Sequence, residues 1–409
     1  MSKRIKVGFS IKGLYQYFHM IKPIIDANTS NDITFYIFHT NKYYKYNTPQ
    51  FEIVNVTVID LVKTRNIVKL IKEFELDYMI IFNPGQIFDV FITAICKESN
   101  TKTIYFQHGL SLPFGSFNIK SIGQGKTMKD KILSLRRYSY FYRSIVTNFF
   151  LLTEKRRFLK IILKRTYQVF FLHGRFNYPK YGLKEFHCDL GLVFGKKDKE
   201  YLVEKNGFRA EDVLIGGYPM LKAVDNKNGS GLPENYVLYI SSGLLKSKVI
   251  PITTEDERLF YMGLAKNAKN TGKNIVLKLH PTEDLSLFQE YMRDFNNAFV
   301  YKDFNLSNLV ANAEIVIGDY STALFYAIWY RKPLILLRSE FFEKYPFDFV
   351  DYGIGEKVYN HDIEQYLTVA PKVDIKCYND FLLEFISNED GRDSNEVLYS
   401  CILGINKKS

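Results

Sequence analysis

Short apolar runs alternate with segments of helical periodicity along most of this chain. In the first half the runs cover 6–10, 33–38, 56–60, 78–82 and 103–106. In the second half they cover 190–194, 213–215, 236–240, 274–279, 298–301, 313–317 and 333–337. Strands that alternate with helices form parallel sheets with helices packed on both faces. The pattern therefore predicts an α/β protein built from doubly wound, Rossmann-like sheets.

The length of the chain predicts more than one domain. Single hydrophobic cores stop growing at roughly 250–300 residues, and this chain has 409. We place an N-terminal domain at 1–185, a C-terminal domain at 186–385 and a tail or helix at 386–409, with the two domains facing across a cleft. A polar, glycine-rich segment at 225–231 has the composition of a linker. A basic segment at about 120–166 interrupts the first domain as a mostly helical insertion.

The positive charge of the chain is concentrated in that basic segment. Between Lys120 and Thr166 there are 13 Lys and Arg but 2 Asp and Glu, so the segment alone equals the formal net charge of +11 of the whole chain. Aromatic and aliphatic residues lie between the cations, a composition that suits the surface of an anionic membrane or a polyanionic acceptor. A solvated basic face is the simpler alternative. Nucleic acid is not predicted as a partner, because no known nucleic-acid-binding module accompanies the charge.

Other features of composition predict a cytoplasmic protein that is at most peripherally attached to the inner face of the membrane. No apolar run approaches the roughly 20 residues of a spanning helix, and the first residues lack the apolar region of a signal peptide. The four cysteines are widely spaced, which argues against a disulfide framework or a zinc site. They are Cys96, Cys188, Cys377 and Cys401.

Two of the apolar runs in the second half end in polar residues suited to phosphate binding. His280 and Pro281 follow one run, and Asp319, Ser321 and Thr322 follow another. Ligands of parallel sheets bind at the carboxyl ends of strands, and helix N-termini favour phosphate. The alternative for each group is ordinary capping of the next helix. Because the two groups occur together, we predict a nucleotide site in which Asp319 orients Ser321 or His280.

Two further groups follow predicted strands. His108 ends a strand of the first domain, and an imidazole suits proton abstraction near neutral pH. The alternative is a loop histidine bonded to the backbone. Ser241, Ser242 and Gly243 follow the first strand of the second domain, where small residues let the backbone approach phosphate or sugar closely. An ordinary turn explains them equally well. No Asp-x-Asp metal motif is present, so a metal-independent reaction is favoured.

The motifs of the second half resemble those of one glycosyltransferase branch. Lys278, His280 and Pro281 match a Lys-x-His-Pro motif, and Ser321 with Thr322 matches a Ser-Ser/Thr motif. Both occur in bacterial sialyl- and Kdo-type transferases of GT-B fold that use CMP-sugars. The resemblance implies that His280 and the hydroxyl pair bind the CMP moiety. The acidic motif that supplies the base in that branch is missing from the first half of this chain.

The chain also resembles the CDP-glycerol glycerophosphotransferases of teichoic acid synthesis. The matching residues are Gln107-His108-Gly109, Gly217-Tyr218-Pro219, His280-Pro281 and Asp319 to Thr322. This resemblance implies that His108 is the base, that His280 and the Ser/Thr pair hold the CDP phosphates, and that the basic insertion attaches to membrane. The chain departs from that family in lacking a Trp before His108 and in carrying Thr322 where a second Ser is usual.

From these resemblances we predict an inverting, metal-independent glycosyltransferase without a cofactor. It would move an acidic, sialic acid- or Kdo-like sugar from a CMP-activated donor to a lipid-linked acceptor or a bacterial surface glycan such as capsule or lipopolysaccharide. Catalytic roles are assigned to His108, His280 and Asp319. Donor binding is assigned to Lys278, His280, Pro281, Ser321, Thr322, Ser241, Ser242, Gly243 and Tyr218. The alternatives are a CDP-glycerol or CDP-ribitol phosphotransferase, a UDP-sugar 2-epimerase-like enzyme, and a non-catalytic sugar-nucleotide or glycan-binding protein.

Overall fold

The structure is a computed structural model that describes the residues in sixteen ranges. They are 4–11, 14–30, 32–40, 56–82, 87–107, 143, 146–148, 151–152, 159–160, 188–221, 231–243, 253–281, 283–319, 321–338, 348–387 and 394–407. Two compact units divide the chain, and each contains one parallel sheet.

The first unit is built on a seven-stranded sheet. Its elements are β1 (Ile5–Ile11), α1 (Leu14–Asp26), β2 (Ile33–His39), β3 (Val56–Asp60), α2 (Ile67–Phe74), β4 (Tyr78–Ile81), α3 (Ile87–Glu98), β5 (Lys102–Phe106), β6 (Leu190–Val193), α4 (Lys196–Asn206) and β7 (Val213–Ile215). The strand order is β3-β2-β1-β4-β5-β6-β7, and every pair is parallel. All four residues of the inner strand β4 are buried, as expected where helices cover both faces of a sheet.

The second unit is built on a six-stranded sheet. Its elements are β8 (Tyr236–Ile240), α5 (Thr254–Asn270), β9 (Asn274–Lys278), α6 (Leu285–Tyr291), β10 (Ala298–Tyr301), α7 (Leu306–Asn312), β11 (Ile315–Gly318), α8 (Phe325–Trp329), β12 (Leu334–Leu337), β13 (Glu356–Val358), α9 (Ile363–Thr368) and α10 (Ile375–Phe385). The order is β10-β9-β8-β11-β12-β13, again with parallel pairs. From β8, successive strands are added first on one side (β9, β10) and then on the other (β11, β12, β13). The position between β8 and β11 is therefore the topological switch point, where ligands of such sheets bind.

The predicted domain boundary at residue 185 is wrong, because two strands after it belong to the first sheet. Backbone register joins β6 to β5 and β7 to β6. Side chains reinforce the first of these pairings. The Asp189 carboxylate accepts hydrogen bonds of 2.7 Å from both the backbone N–H and the hydroxyl of Thr103, and the Gln107 side-chain oxygen accepts one of 2.7 Å from the backbone N–H of Phe194. The units instead divide after Met220, close to the glycine-rich segment of the sequence.

The C-terminal segment, predicted as a separate tail or helix, forms α11 (Ser394–Lys407) and belongs to the first unit. The Tyr399 hydroxyl lies 3.0 Å from both the Asn28 side-chain oxygen and the Ser30 hydroxyl, next to the end of α1. These polar contacts join sequence positions that are more than 350 residues apart, a pairing that no local pattern predicts.

A pair of glycines provides a test of the packing between β12 and the loop before β13. Gly355 and Gly272 have almost the same left-handed φ, 72° and 71°. A β-carbon on Gly355 would lie 2.7 Å from the Leu334 carbonyl oxygen, whereas a β-carbon on Gly272 would have no heavy atom of the described residues within 4 Å. Gly272→Ala should cost the left-handed strain of about 1–2 kcal/mol. Gly355→Ala should cost roughly 1–3 kcal/mol more, because it adds a clash with the backbone. Urea unfolding of both variants measures the difference, and equal losses would contradict the described packing.

Candidate functional site

The carboxyl ends of β8, β9 and β11 bring together most of the polar residues predicted for the site. The three strands are neighbours in the order β9-β8-β11, so their ends share one edge of the sheet at its switch point. Ser242 follows β8, His280 follows β9, and Asp319 follows β11. Contacts among the residues of these three loops define the geometry of the site.

Asp319 holds Ser242. The Ser242 hydroxyl donates a hydrogen bond of 2.6 Å to Asp319 Oδ2, while Asp319 Oδ1 is buried and has no hydrogen-bond partner in the described part of the chain. The prediction that Asp319 orients Ser321 or His280 is therefore corrected, because its side-chain hydrogen bond goes to the end of the neighbouring strand β8. Burial, which outweighs the hydrogen bond from Ser242, raises the pKa of Asp319 to about 7. This carboxyl group thus changes its charge near neutral pH.

Gly243 lets the chain after β8 pass against the imidazole of His280. A β-carbon on Gly243 would lie 2.8 Å from both Cγ and Nδ1 of that ring, and the φ of +68° also favours glycine. Burial, with a smaller effect from the charge of Lys278, lowers the pKa of His280. The ring is therefore neutral at pH 7, and one of its nitrogens can donate a hydrogen bond.

Glu283 lies at the site, although it is not among the site residues that the sequence predicts. Its side chain is 1% exposed, and its carboxylate accepts hydrogen bonds from the Ser241 hydroxyl at 2.8 Å and from the His280 backbone N–H at 2.6 Å. The Glu283 backbone N–H in turn donates to the His280 carbonyl at 2.9 Å. One buried carboxylate thus connects the end of β8 to the turn after β9. The signal in the sequence is a glutamate three residues after the turn begins, which is the spacing of a capping box.

Ser241 and Lys278 bind groups of the protein itself. The Ser241 hydroxyl donates to Glu283 and lies 3.1 Å from the Gly243 backbone N–H, which donates to it. The Lys278 ammonium donates to the carbonyl of Leu279 at 3.0 Å and to that of Lys302 at 2.5 Å. Burial lowers the pKa of Lys278. Both side chains therefore hold strand ends in place, and their predicted contact with a donor stays a prediction.

Ser321 begins a short helical segment with an exposed neighbour. Its hydroxyl accepts a hydrogen bond of 3.2 Å from the Ala323 backbone N–H and caps a 3₁₀ turn, Thr322–Leu324, that continues into α8. Thr322 is exposed, whereas Leu324 and four residues of α8 are buried. The apolar helix expected after the hydroxyl pair is thus present, and it is anchored in the core. The capping that was weighed against phosphate binding is also present.

Tyr218 lies in the first unit, and His108 lies outside the described residues. Tyr218 follows β7 in the first unit, where its ring packs on Phe194 at 4.9 Å between centroids and its hydroxyl lies 3.3 Å from the Met220 sulfur. His108 and most of the basic segment lie outside the described residues. Within the described ranges no group of three or more His, Cys, Asp or Glu side chains has the arrangement of a metal site.

The two Rossmann-like sheets, with polar loops at the switch point of the second, define the fold of GT-B enzymes. A profile of the family described as alpha-2,8-polysialyltransferase (POLYST) matches residues 19–332. The chain belongs to this family. Family membership confirms the predictions that the chain is an enzyme, that it is a glycosyltransferase, and that it transfers a sugar of the sialic acid type. No curated protein matches the chain in sequence.

Solved structures share the same fold. UDP-GlcNAc 2-epimerase from Methanocaldococcus jannaschii has a TM-score of 0.51 at 12% identity, covering 99% of this chain and 100% of its own. S. aureus MnaA with UDP has a TM-score of 0.52 at 12% identity, covering 98% and 97%. The wall teichoic acid polymerase TagF has a TM-score of 0.56 at 14% identity, covering 100% and 90%. These likenesses confirm the predicted α/β fold of GT-B type.

The burial of Asp319 predicts a pH dependence of stability. An unfolded aspartate has a pKa near about 4, so between there and about 7 the folded state holds a proton that the unfolded state has lost. The free energy of unfolding should therefore fall as pH rises through this window, by on the order of 4 kcal/mol at most. Asp319→Asn should remove this contribution and flatten the dependence.

Urea unfolding at about pH 5 and pH 7.5 measures this pH dependence of the free energy of unfolding. The proteins compared are the wild type, Asp319→Asn and a control, Asp294→Asn, at an exposed position. Identical pH dependence in all three proteins would contradict the assignment.

Proposed function

We propose that this enzyme transfers sialic acid from a CMP-activated donor to the 8-hydroxyl of a sialic acid on a glycan acceptor. Membership of a family described as alpha-2,8-polysialyltransferase supports the sugar and the linkage. The observation that carries the donor assignment is the convergence of Ser242, His280 and Asp319 at the switch point of the second sheet. Hydroxyl and imidazole donors at that position suit the phosphate of a nucleotide.

The proposed reaction is a single displacement with inversion. The acceptor oxygen attacks the anomeric carbon, the bond from that carbon to the phosphate oxygen breaks, and its electron pair leaves with CMP. The neutral ring of His280 donates a hydrogen bond to the phosphate, and the hydroxyls of Ser242 and Thr322 supply two more. Charge on the departing CMP is then stabilised without a metal ion. The proton of the acceptor hydroxyl passes to a base, for which His108 stays the sequence-based candidate.

His280→Ala should weaken CMP binding by about 10- to 100-fold, because it removes one hydrogen bond to a charged group. Isothermal titration of wild type and variant with CMP, CDP and UDP, in EDTA and then in Mg²⁺, measures the affinities. His361→Ala is the matched control, since that side chain is 77% exposed on a 3₁₀ turn of the same unit.

Unchanged CMP affinity in His280→Ala would contradict the donor site. Preference for UDP over CMP would point to the 2-epimerase-like alternative, whose fold the chain shares. If CMP binds but the protein extends an acceptor only with CDP-glycerol, the phosphotransferase alternative replaces the proposal. A requirement for Mg²⁺ would overturn its metal-independent part.

We also propose that the basic segment docks on the inner face of the cell membrane. Two of its side chains anchor it in the first unit: Leu152 is buried, and the Asn148 amide donates to the Arg65 carbonyl at 3.2 Å. Others are exposed. They are Arg143, Val146, Leu151, Leu159 and Lys160. Exposed apolar side chains beside cations favour an anionic lipid surface. Within the described residues, no helix is sufficiently long and apolar to span a bilayer.

Replacing Val146, Leu151 and Leu159 together by Asn should lower binding to phosphatidylglycerol vesicles by about 10-fold or more, because each loses apolar area that the membrane would cover. Co-sedimentation at low and high salt measures the binding. Leu259→Asn is the control, an exposed leucine on α5. Equal binding of the triple variant and wild type would rule out docking through these side chains.

A further inference from the structure

Among the described residues, the Asp319 side chain is hydrogen-bonded to Ser242 at the end of β8. Asp319 is 5% exposed, its oxygen Oδ1 is buried without a hydrogen-bond partner among the described residues, and Oδ2 accepts a hydrogen bond of 2.6 Å from the Ser242 hydroxyl. Ser242 itself is partly exposed at the end of β8. A ligand at this strand end can therefore contact Ser242, whereas the carboxyl group behind it is buried.

One hydroxyl proton allows two arrangements of this pair. When Asp319 is ionised, the Ser242 hydroxyl must donate to it, and only lone pairs of Ser242 face the ligand. When Asp319 is protonated, the carboxyl donates to Ser242, and the proton of the Ser242 hydroxyl can then be donated to a ligand. An anion accepts hydrogen bonds but donates none, so it favours the second arrangement. The first arrangement would also leave two negative groups on either side of one oxygen.

We propose that the Ser242–Asp319 pair couples binding of the anionic nucleotide to uptake of one proton from solvent, which reverses the hydrogen bond between the two side chains. No covalent bond to the ligand forms or breaks in this step. Asp319 is then a positioning residue that acts through Ser242. The inference rests on the proposed function, because it takes the phosphate of the donor or of CMP as the anion.

The surroundings of Asp319 favour uptake of a proton. Among the described residues, beyond the effect of burial, the charge of Glu283 raises the pKa of Asp319 further, and Asp319 in turn raises the pKas of Tyr239 and Tyr261; none of these three groups is a cation. Burial raises the pKas of both tyrosines well above their usual value, so these phenols are neutral. Burial also raises the pKa of Asp319 itself to about 7. At about pH 8 the free protein is therefore mostly ionised at Asp319, and nearly a full proton is available to be taken up.

Isothermal titration with CMP at about pH 8, in two buffers of different ionisation enthalpy, counts the protons bound. We expect the wild type to take up close to one proton more than Asp319→Asn. Ser242→Ala retains the carboxyl but lacks the hydroxyl, so it should lose the same uptake and bind CMP about 10-fold or more weakly. His280→Gln shows how much uptake belongs to the imidazole.

Each outcome decides the inference. Equal proton uptake in wild type and Asp319→Asn, with CMP bound by both, would overturn it and leave the proposed donor site intact. Uptake retained in Ser242→Ala would show that the hydroxyl does not carry the coupling. If CMP does not bind the wild type at all, the proposed function and the inference fail together. Loss of uptake in both variants, with their cooperative unfolding preserved, supports the coupling.

Discussion

The buried carboxylate of Glu283 is the constraint on which the geometry of the candidate site in the second unit depends. Parallel strands leave unpaired backbone groups where their ladder ends, and here the Glu283 side chain accepts the His280 backbone N–H and the Ser241 hydroxyl together. Hydrogen bonds to a charged group contribute about 1.5–3 kcal/mol each, and a buried partner left unpaired costs a similar amount. Because the same two bonds fix the turn after β9 to the end of β8, they also fix where the imidazole of His280 stands.

Adjacent serines serve opposite purposes because successive side chains of an extended chain point to opposite sides. The Ser241 hydroxyl donates to the buried Glu283 side chain, whereas the Ser242 hydroxyl donates to Asp319 and Ser242 is partly exposed. Gly243 completes the arrangement by removing the β-carbon that would meet the His280 ring. Three consecutive small residues therefore anchor one strand end, present one hydroxyl and clear the space for one imidazole.

Sequence patterns anticipated the strands, the parallel sheets and the strand ends that carry His280 and Asp319, since periodicity and turn chemistry are local properties. They did not anticipate which distant strands pair or which side chains contact one another. The assignment of β6 to the first sheet depends on its pairing with β5 across more than 80 residues, and β7 belongs to the sheet because it pairs with β6. The Ser242–Asp319 bond likewise joins residues 77 apart. The contact of Glu283 with the His280 backbone could have been predicted, because the spacing of the two residues is that of a capping box. Its burial and its hydrogen bond to Ser241 depend on the tertiary fold.

The charges at the candidate site need an explanation, because the buried carboxyl groups of Glu283 and Asp319 flank residues that we propose hold an anion. The nearby cations among the described residues do not supply one, because the Lys278 ammonium is bound to the carbonyls of Leu279 and Lys302 and the pKa of His280 is lowered. For the described part of the site, the proposed recognition depends on neutral donors, and a neutral donor is effective in a site of low dielectric constant. A carboxyl group that is protonated when the anion arrives turns from a source of repulsion into the support of one such donor. The same chemistry gives a reason for burying an aspartate, rather than an asparagine, behind Ser242: the site can favour the anion when it is occupied and stay hydrogen-bonded when it is empty.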